Sequence, residues 1–293
     1  MNSIKKITHF GMSQTEALDR GGKHRKRLLQ LVGNINSVKG NEKYPHLYIY
    51  SPPGLGKTFT VKNHLEESKI FNVPVFGNVS MFAFGIQLAV IAFENHFNHK
   101  VIVYVDDCDE LFKTEVSCNT MKNVLDGNKT FTYEKSLASQ WSHLSDLQKD
   151  AITYFSTEGK SGFSVPTDNL VFVFTSNFKL PIDDDVREAR AKGKSKSVLI
   201  GHKNAIRSRC RVADFDLSDE EEWGWIADVV LNTNCLNHLG ISESDKQVIL
   251  DFLWYNWNHL TERSIRLVEK MSGTIMEYPE NYKSVWEIDY IKN

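Results

Sequence analysis

The sequence predicts an α/β fold, a parallel β-sheet covered by helices, followed by a smaller all-helical domain. Three observations carry this. Short β-type runs (Leu47-Tyr-Ile-Tyr50, Val73-Pro-Val-Phe76, Val101-Ile-Val-Tyr-Val105 and Leu170-Val-Phe-Val-Phe-Thr175) alternate with longer polar or amphipathic stretches, the rhythm of strand–helix–strand units. The Val101 and Leu170 runs are apolar without alternation, as central strands buried on both faces require. Beyond about Asp214 the β-type runs cease and helix starts replace them.

In chain order, the first domain is expected over residues 1–213, with a helical lead-in, and the second over 214–293. The stretch between Leu111 and Asn169 is long for a connection between neighbouring strands and must contain helices, with Asp146 to Phe155 one of them. Arg187 to Lys203, rich in Lys, Arg, Gly and Ser, reads as an exposed loop. Ser218-Asp-Glu-Glu221 and Ser244-Asp-Lys-Gln247 have the capping-box pattern of helix N-termini. Trp223, Ile226 and Val230, and then Leu250, Trp254 and Trp257, recur at helical spacing and are read as packing stripes.

Of the 293 residues, 41% are hydrophobic and 25% charged, enough apolar material for one large domain or two smaller ones. The formal charge of -2 gives no global drive toward nucleic acid or membrane, so such binding needs a local patch. Cys108, Cys118, Cys210 and Cys235 form no Cys-x-x-Cys pair, which argues against a zinc site or disulfide framework and for a reducing compartment. The N-terminus has no signal-peptide core, and no apolar run reaches the roughly 20 residues of a membrane helix. A cytoplasmic location without membrane contact is expected.

The chemistry begins after the Leu47 strand, at Ser51-Pro-Pro-Gly-Leu-Gly-Lys-Thr58. Gly54 and Gly56 let the backbone curl so that its N–H groups face phosphate oxygens. Lys57 offers a charge to the β/γ-phosphates, Thr58 a hydroxyl to Mg²⁺, and the following helix its N-terminal dipole. Pro53, Leu55 and Phe59 complete the nucleotide-lining stretch. Ser51 stands where the strict phosphate-loop pattern has glycine.

About fifty residues later, Val101-Ile-Val-Tyr-Val-Asp-Asp-Cys-Asp109 is an apolar strand ending in carboxylates. Asp106 is placed to hold Mg²⁺, with a second acid beside it to orient or deprotonate water. Here the sequence resembles the AAA+ ATPases, which write Asp-Glu-x-Asp where this chain has Asp106-Asp107-Cys108-Asp109. The resemblance implies ATP and Mg²⁺ as cofactors and gives Asp107 the place of the catalytic glutamate. Its side chain is shorter by one methylene, about a C–C bond length; Glu110 is the alternative.

The resemblance extends from about His46 to Lys270. Leu170-Val-Phe-Val-Phe-Thr-Ser-Asn177 is similar to the sensor 1 strand, with Asn177 as its polar residue. Ala205-Ile-Arg-Ser-Arg-Cys-Arg211 is similar to the arginine-finger segment, and Ser208-Arg209-Cys210 matches the Ser-Arg-Cys of clamp loaders. Arg209, with Arg207 as competitor, then acts on a neighbour's nucleotide, which implies a ring or open-ring oligomer, with a hexamer one arrangement. Thr261-Glu-Arg-Ser-Ile-Arg266 resembles a sensor 2 helix start, in which Arg263, or Arg266 beyond it, contacts nucleotide from a helical lid.

Phe82 or Phe84 stands where threading rings carry a pore loop, but an apolar cluster entering a helix is usually core, and core packing is the favoured reading. Arg187, Arg190, Lys192, Lys194 and Lys196 can follow a DNA backbone or form a solvated loop. The function expected is a homo-oligomeric ATPase that remodels DNA or a DNA-bound protein complex in a replication, loader or packaging role. A polypeptide-threading unfoldase and a slow-turnover scaffold or switch are the alternatives, with a protein substrate or adaptor as possible partner. The chain ends soon after the lid, without a clamp-loader collar, and is reminiscent of small phage-encoded AAA+ proteins.

Overall fold

The computed structural model describes residues 10–36, 45–67, 72–75, 79–95, 100–126, 129–156, 161–193 and 197–292. In chain order they form α1 (Gln14–Gly33), β1 (Leu47–Tyr50), α2 (Lys57–Glu67), β2 (Asn72–Val75), α3 (Met81–Asn95), β3 (Val101–Val105), α4 (Glu115–Leu125), β4 (Thr130–Tyr133), α5 (Asp146–Phe155), β5 (Phe163–Pro166), β6 (Leu170–Ser176), α6 (Asp183–Ala191), α7 (Ser197–Arg207), β7 (Arg211–Asp214), α8 (Asp219–Asn232), α9 (Glu243–Asn256), α10 (Ile265–Glu277) and α11 (Tyr282–Asp289).

Five strands pair in parallel in the order β2-β3-β6-β1-β7. The fold is therefore α/β with a parallel sheet flanked by helices. Every residue of β3 and β6 is buried, because these continuously apolar strands are covered on both faces. Pro74 lies in β2, at the edge of the sheet, where a missing N–H costs no ladder bond on the open side. Val105 stands opposite Phe174, and Tyr50 opposite Ser176. This register brings the C-terminal ends of β3, β6 and β1 to one rim of the sheet.

Two compact units divide the chain. One comprises Leu31–Tyr50 and His64–Asp214; it holds the sheet, and Tyr48, Phe84, Phe112, Phe172 and Phe174 belong to its buried core. The rings of Phe172 and Phe174 stack with centroids 5.6 Å apart. The other comprises Met1–Gln30, Ser51–Asn63 and Phe215–Asn293, so the phosphate-loop stretch belongs with the C-terminal helices. Its core is aromatic: Trp223 meets Trp254 edge-on at 4.7 Å, Phe215 meets Trp225 at 5.1 Å, and Trp257 and Trp286 are fully buried. Arg25 of α1 is paired with Asp228 of α8 in this unit.

Several elements depart from the sequence reading. The connection between β3 and β6 holds α4 and α5 and also an antiparallel two-stranded sheet of β4 and β5, with Phe131 opposite Val165. Its strands are four residues each, too short for alternation to stand out. Among the described residues, the stretch from Arg187 to Lys203 lies largely in α6 and α7 rather than in a loop. Asp183, Asp184 and Asp185 occupy the first turn of α6, where carboxylates complement the helix dipole. Its buried face is only Val186 and Ala189, which gives almost no periodic signal. The cap of α9 is Ser242, bonded by the Asp245 N–H at 3.1 Å, and not Ser244. At α8 the box is the expected one, with the Ser218 N–H on Glu221 at 3.1 Å and the Glu221 N–H on Ser218 at 3.3 Å. Among the described residues no helix is long and apolar enough to cross a membrane.

Candidate functional site

The candidate site residues read from the sequence fall into two groups, one in each unit. In the unit with the C-terminal helices, Gly54 has φ of 85° and Gly56 φ of 73°, the left-handed region that glycine enters freely. A Cβ on Gly54 would lie 2.4 Å from Ser264 Cβ, and one on Gly56 2.5 Å from Ile265 Cδ1. Both glycines are thus required twice, by backbone conformation and by the approach of α10. The Ile265 N–H donates to Gly54 O at 2.8 Å, which stitches the first turn of α10 onto the loop.

Lys57 opens α2, is buried, and folds its ammonium back onto Ser51 O at 2.8 Å and Pro52 O at 3.1 Å. Thr58 and Phe59 follow half-buried in the first turn of α2, Leu55 is buried, and Pro53 is exposed. Among the described residues only Asp107 and Lys129 are non-glycines with positive φ, so Ser51 sits in ordinary backbone space. Serine there carries no conformational strain.

Arg263 does not reach the loop through its guanidinium. Nε donates to Trp257 O at 3.1 Å, Nη1 to Asp219 at 2.8 Å and Nη2 to Asn258 at 3.3 Å, and the group stands 5.4 Å from the Trp257 ring centroid. It lies before α10, which begins at Ile265, so it shares no helix face with Arg266. Arg266 is exposed in the first turn of α10, directly after the residue bonded to Gly54. Near Arg263, burial and the Asp219 carboxylate push Glu222 up to about 7, partly offset by Arg263.

In the sheet unit, β3 ends at Val105 and is followed by Asp106, whose N–H donates to Val75 O at 3.0 Å. Its Oδ1 accepts from Tyr104 Oη at 3.1 Å and from Thr175 Oγ1. Asp107 then takes φ 50° and ψ 48°, a left-handed conformation that Asp tolerates better than most residues and that clusters at functional positions. Asn177 Nδ2 donates to Asp107 Oδ1 at 3.4 Å, and Ser176 Oγ to Asp109. Glu110 accepts from Lys113 at 2.7 Å, away from this arrangement.

The hydroxyls of Tyr104, Thr175 and Ser176 were not singled out from sequence. Their signal is the break to polar residues at the end of an otherwise apolar β6, and a Tyr two positions before Asp106, on the same face of β3.

Arg209 lies just after α7. Nε and Nη2 donate to one oxygen of Asp126 at 3.0 and 2.5 Å, and Nη1 to Ala205 O at 2.7 Å. Arg207 bonds Asp214 at 2.7 Å and Leu180 O at 3.2 Å. Both arginines therefore have partners within this unit.

Two further stretches singled out from sequence are placed as follows. Phe84 is wholly buried against Phe131 and Phe172, and Phe82 is half-buried against Tyr133 at 5.1 Å. Both belong to α3, an apolar helix whose side chains complete the core, so neither forms an aromatic loop tip. Asn78, the start of that segment, lies outside the described residues. In the basic run, Arg187 pairs with Asp184 and Lys192 with Glu188 one turn earlier; Lys194 and Lys196 lie outside the described residues.

The residues fit the groups that the sequence implies. A strand-to-helix loop with two glycines at positive φ and the Lys57 ammonium at its end suits polyphosphate. A strand-end carboxylate with one oxygen fixed by two hydroxyls is hard-oxygen chemistry, suited to Mg²⁺. No protein-family model and no curated protein matches the chain.

Proposed function

We propose that the chain is an ATP-binding and ATP-hydrolysing P-loop protein of AAA+ type that works as an oligomer. The observation that carries this is the pair of glycines at positive φ, Gly54 and Gly56, in the strand-to-helix loop that leads into Lys57 and Thr58. The loop amides from Gly54 to Phe59 and Lys57 are assigned to the phosphates of ATP and Thr58 to Mg²⁺; Asp106 is assigned to Mg²⁺ on the AAA+ resemblance alone. When bound, the metal offsets charge on the phosphate oxygens.

Asp107 orients the attacking water and accepts its proton, and Asn177 holds the Asp107 carboxylate in place. Arg209 of a neighbouring copy leaves Asp126 to meet charge developing on the γ-phosphoryl group. The helices after Phe215 serve as the lid, with α10 as the element that senses nucleotide through the loop and Arg263 or Arg266 as its arginine. Remodelling of DNA or a DNA-bound protein complex is the role favoured by the Ser208-Arg209-Cys210 match.

ATP binding measured by calorimetry, with phosphate release measured in parallel, tests the core of this reading. Wild type should bind and Lys57→Ala should not; wild type without affinity for any nucleoside triphosphate would end the proposal. Phosphate release with and without DNA over a range of salt tests the DNA role, which fails if the rate never responds.

The slow-turnover switch is the second reading, favoured by the short Asp107 carboxylate held by Asn177. Brisk steady-state turnover by wild type would remove it.

A further inference from the structure

Within the sheet unit, a cavity of about 410 Å³ opens between the edge strand β2, one side of α3 and the start of α5. Val73, Pro74, Val90, Ile91, Val101 and Leu147 supply its apolar wall. Val101 opens β3, whereas Asp106 follows the last residue of that strand, so the cavity lies toward the opposite end of β3 from the carboxylates.

Gln87, Val90, Ile91 and Glu94 line it from α3. Their spacing puts them on one helical face, polar at both ends and apolar between. The two ends differ in kind. Gln87 Oε1 is buried and accepts no hydrogen bond, whereas Glu94 is exposed. The other polar residues of the lining are committed. At the cap of α5 the Ser145 N–H donates to Gln148 Oε1 at 3.0 Å and the Gln148 N–H to Ser145 Oγ at 3.3 Å, and Asn95 is engaged too.

We propose that this cavity binds a small arylalkylamine that carries an N–H on its ring. The ring N–H donates to Gln87 Oε1, the ring lies on Val90, Ile91 and Val101, and the ammonium reaches Glu94 at the solvent end. The inner end of the ligand is a neutral donor because Gln87 Oε1 offers only lone pairs, and a buried acceptor left unmet is penalised. The outer end is cationic because Glu94 is the one ionisable side chain among the described residues of the lining. The two helical turns from Gln87 to Glu94 rise about 10 Å, a gap that a bicyclic ring with a two-carbon amine arm crosses with few rotors to freeze. A peptide added as a further strand fits poorly, since Pro74 on the edge strand has no N–H to offer it. This inference is independent of the nucleotide chemistry, and its test contains no nucleotide.

The probe is tryptamine, titrated into the full chain by isothermal calorimetry. Two relatives serve as comparisons: 1-methyltryptamine lacks the ring N–H, and indole-3-propionate carries a carboxylate in place of the amine. Tryptamine should bind, 1-methyltryptamine should bind roughly fivefold more weakly, and indole-3-propionate more weakly still. Gln87→Leu should bring tryptamine down to the affinity of 1-methyltryptamine and leave 1-methyltryptamine itself unaltered. Glu94→Gln, at an exposed position where the fold does not depend on the carboxylate, should weaken tryptamine about threefold and narrow its advantage over indole-3-propionate. Circular dichroism and the thermal midpoint check that both variants are folded.

Absence of tryptamine binding overturns the proposal, and so does binding that neither variant alters. Equal affinity for 1-methyltryptamine removes the contact with Gln87 and overturns it as well. Tighter binding of indole-3-propionate than of tryptamine would reassign the cavity to an anion.

Discussion

Asn177, just past β6, donates to the carboxylate of Asp107, just past β3, at 3.4 Å, and Asp107 makes this contact from a left-handed backbone conformation. The sheet register creates the pairing. Val105, the last residue of β3, lies opposite Phe174, two residues before the end of β6, so Asp106 and Asp107 emerge beside Thr175, Ser176 and Asn177. The conformation also rationalises Asp at this position, since a short polar side chain tolerates the left-handed region in which others lose about 1–2 kcal/mol.

Asp107→Asn keeps the shape, the left-handed tolerance and an acceptor for Asn177, and removes only the charge. Its thermal midpoint should match wild type. Phosphate release should fall on the order of a hundredfold, the usual scale for a lost general base, with ATP affinity retained. Asp107→Glu should be destabilised by about 1 kcal/mol through its backbone conformation, measurable by urea titration. A stable Glu variant would contradict the strain assigned here.

Gly54→Ala should be more damaging than a loop substitution ordinarily is. The methyl would sit 2.4 Å from Ser264 Cβ while the backbone holds φ of 85°, so relief requires either the loop or the start of α10 to move. The expected loss exceeds about 1 kcal/mol, together with ATP affinity. Ser264→Gly in the same chain removes the clashing Cβ and should recover part of the stability, at the cost of the α10 cap. Independent, additive losses in the double variant would refute the contact.

What the sequence disclosed follows from how far each signal travels along the chain. The Val101 and Leu170 strands were legible because a fully buried strand ends abruptly at carboxylates or hydroxyls, a local pattern. The tight turn at Gly54 and Gly56 was legible because glycines meet local backbone demands. The two-stranded sheet of β4 and β5 was missed because four-residue strands provide two alternations at most. The helices α6 and α7 were missed because a narrow buried face among charges resembles a solvated loop. Partners far along the chain left no trace. Nothing around Arg209 announces Asp126, nor anything around Thr175 the acceptor Asp106. The demand of Ser264 and Ile265 on Gly54 and Gly56 likewise appears only once α10 is folded against the loop.

The grip of Asp126 on Arg209 implies a competition. If Arg209 acts on a neighbour's nucleotide, it must leave a carboxylate that it contacts through two nitrogens. Arg209→Ala should then lower phosphate release by on the order of 10³-fold, as for other arginine fingers, with ATP affinity intact. Asp126→Ala should instead raise release at subsaturating protein concentration, because the guanidinium is no longer held. Mixing Arg209→Ala with Lys57→Ala should restore activity where their intact halves meet. Absence of any recovery, with assembly confirmed by sedimentation, would exclude action in trans.

His46 gives a pH dependence that owes nothing to nucleotide. It is 3% exposed, accepts the Phe172 N–H through Nδ1 at 3.2 Å, and packs 5.4 Å from the Phe172 ring. Burial, aided by Lys129, pushes it down to about 3 from 6.5, because a charged imidazolium has no solvent there. Above about pH 6.5 the folded and unfolded chains both hold it neutral, and it contributes no pH dependence. As pH falls below that value the unfolded chain takes a proton that the folded chain refuses, so stability declines at about 1.4 kcal/mol per pH unit until the folded group itself titrates. Between pH 7 and pH 5 wild type should lose about 2 kcal/mol from this residue alone. His46→Gln keeps an acceptor for the Phe172 N–H and should remove that component. Urea denaturation of both proteins at the two pH values reads the difference directly, and parallel losses would show that His46 protonates in the folded state.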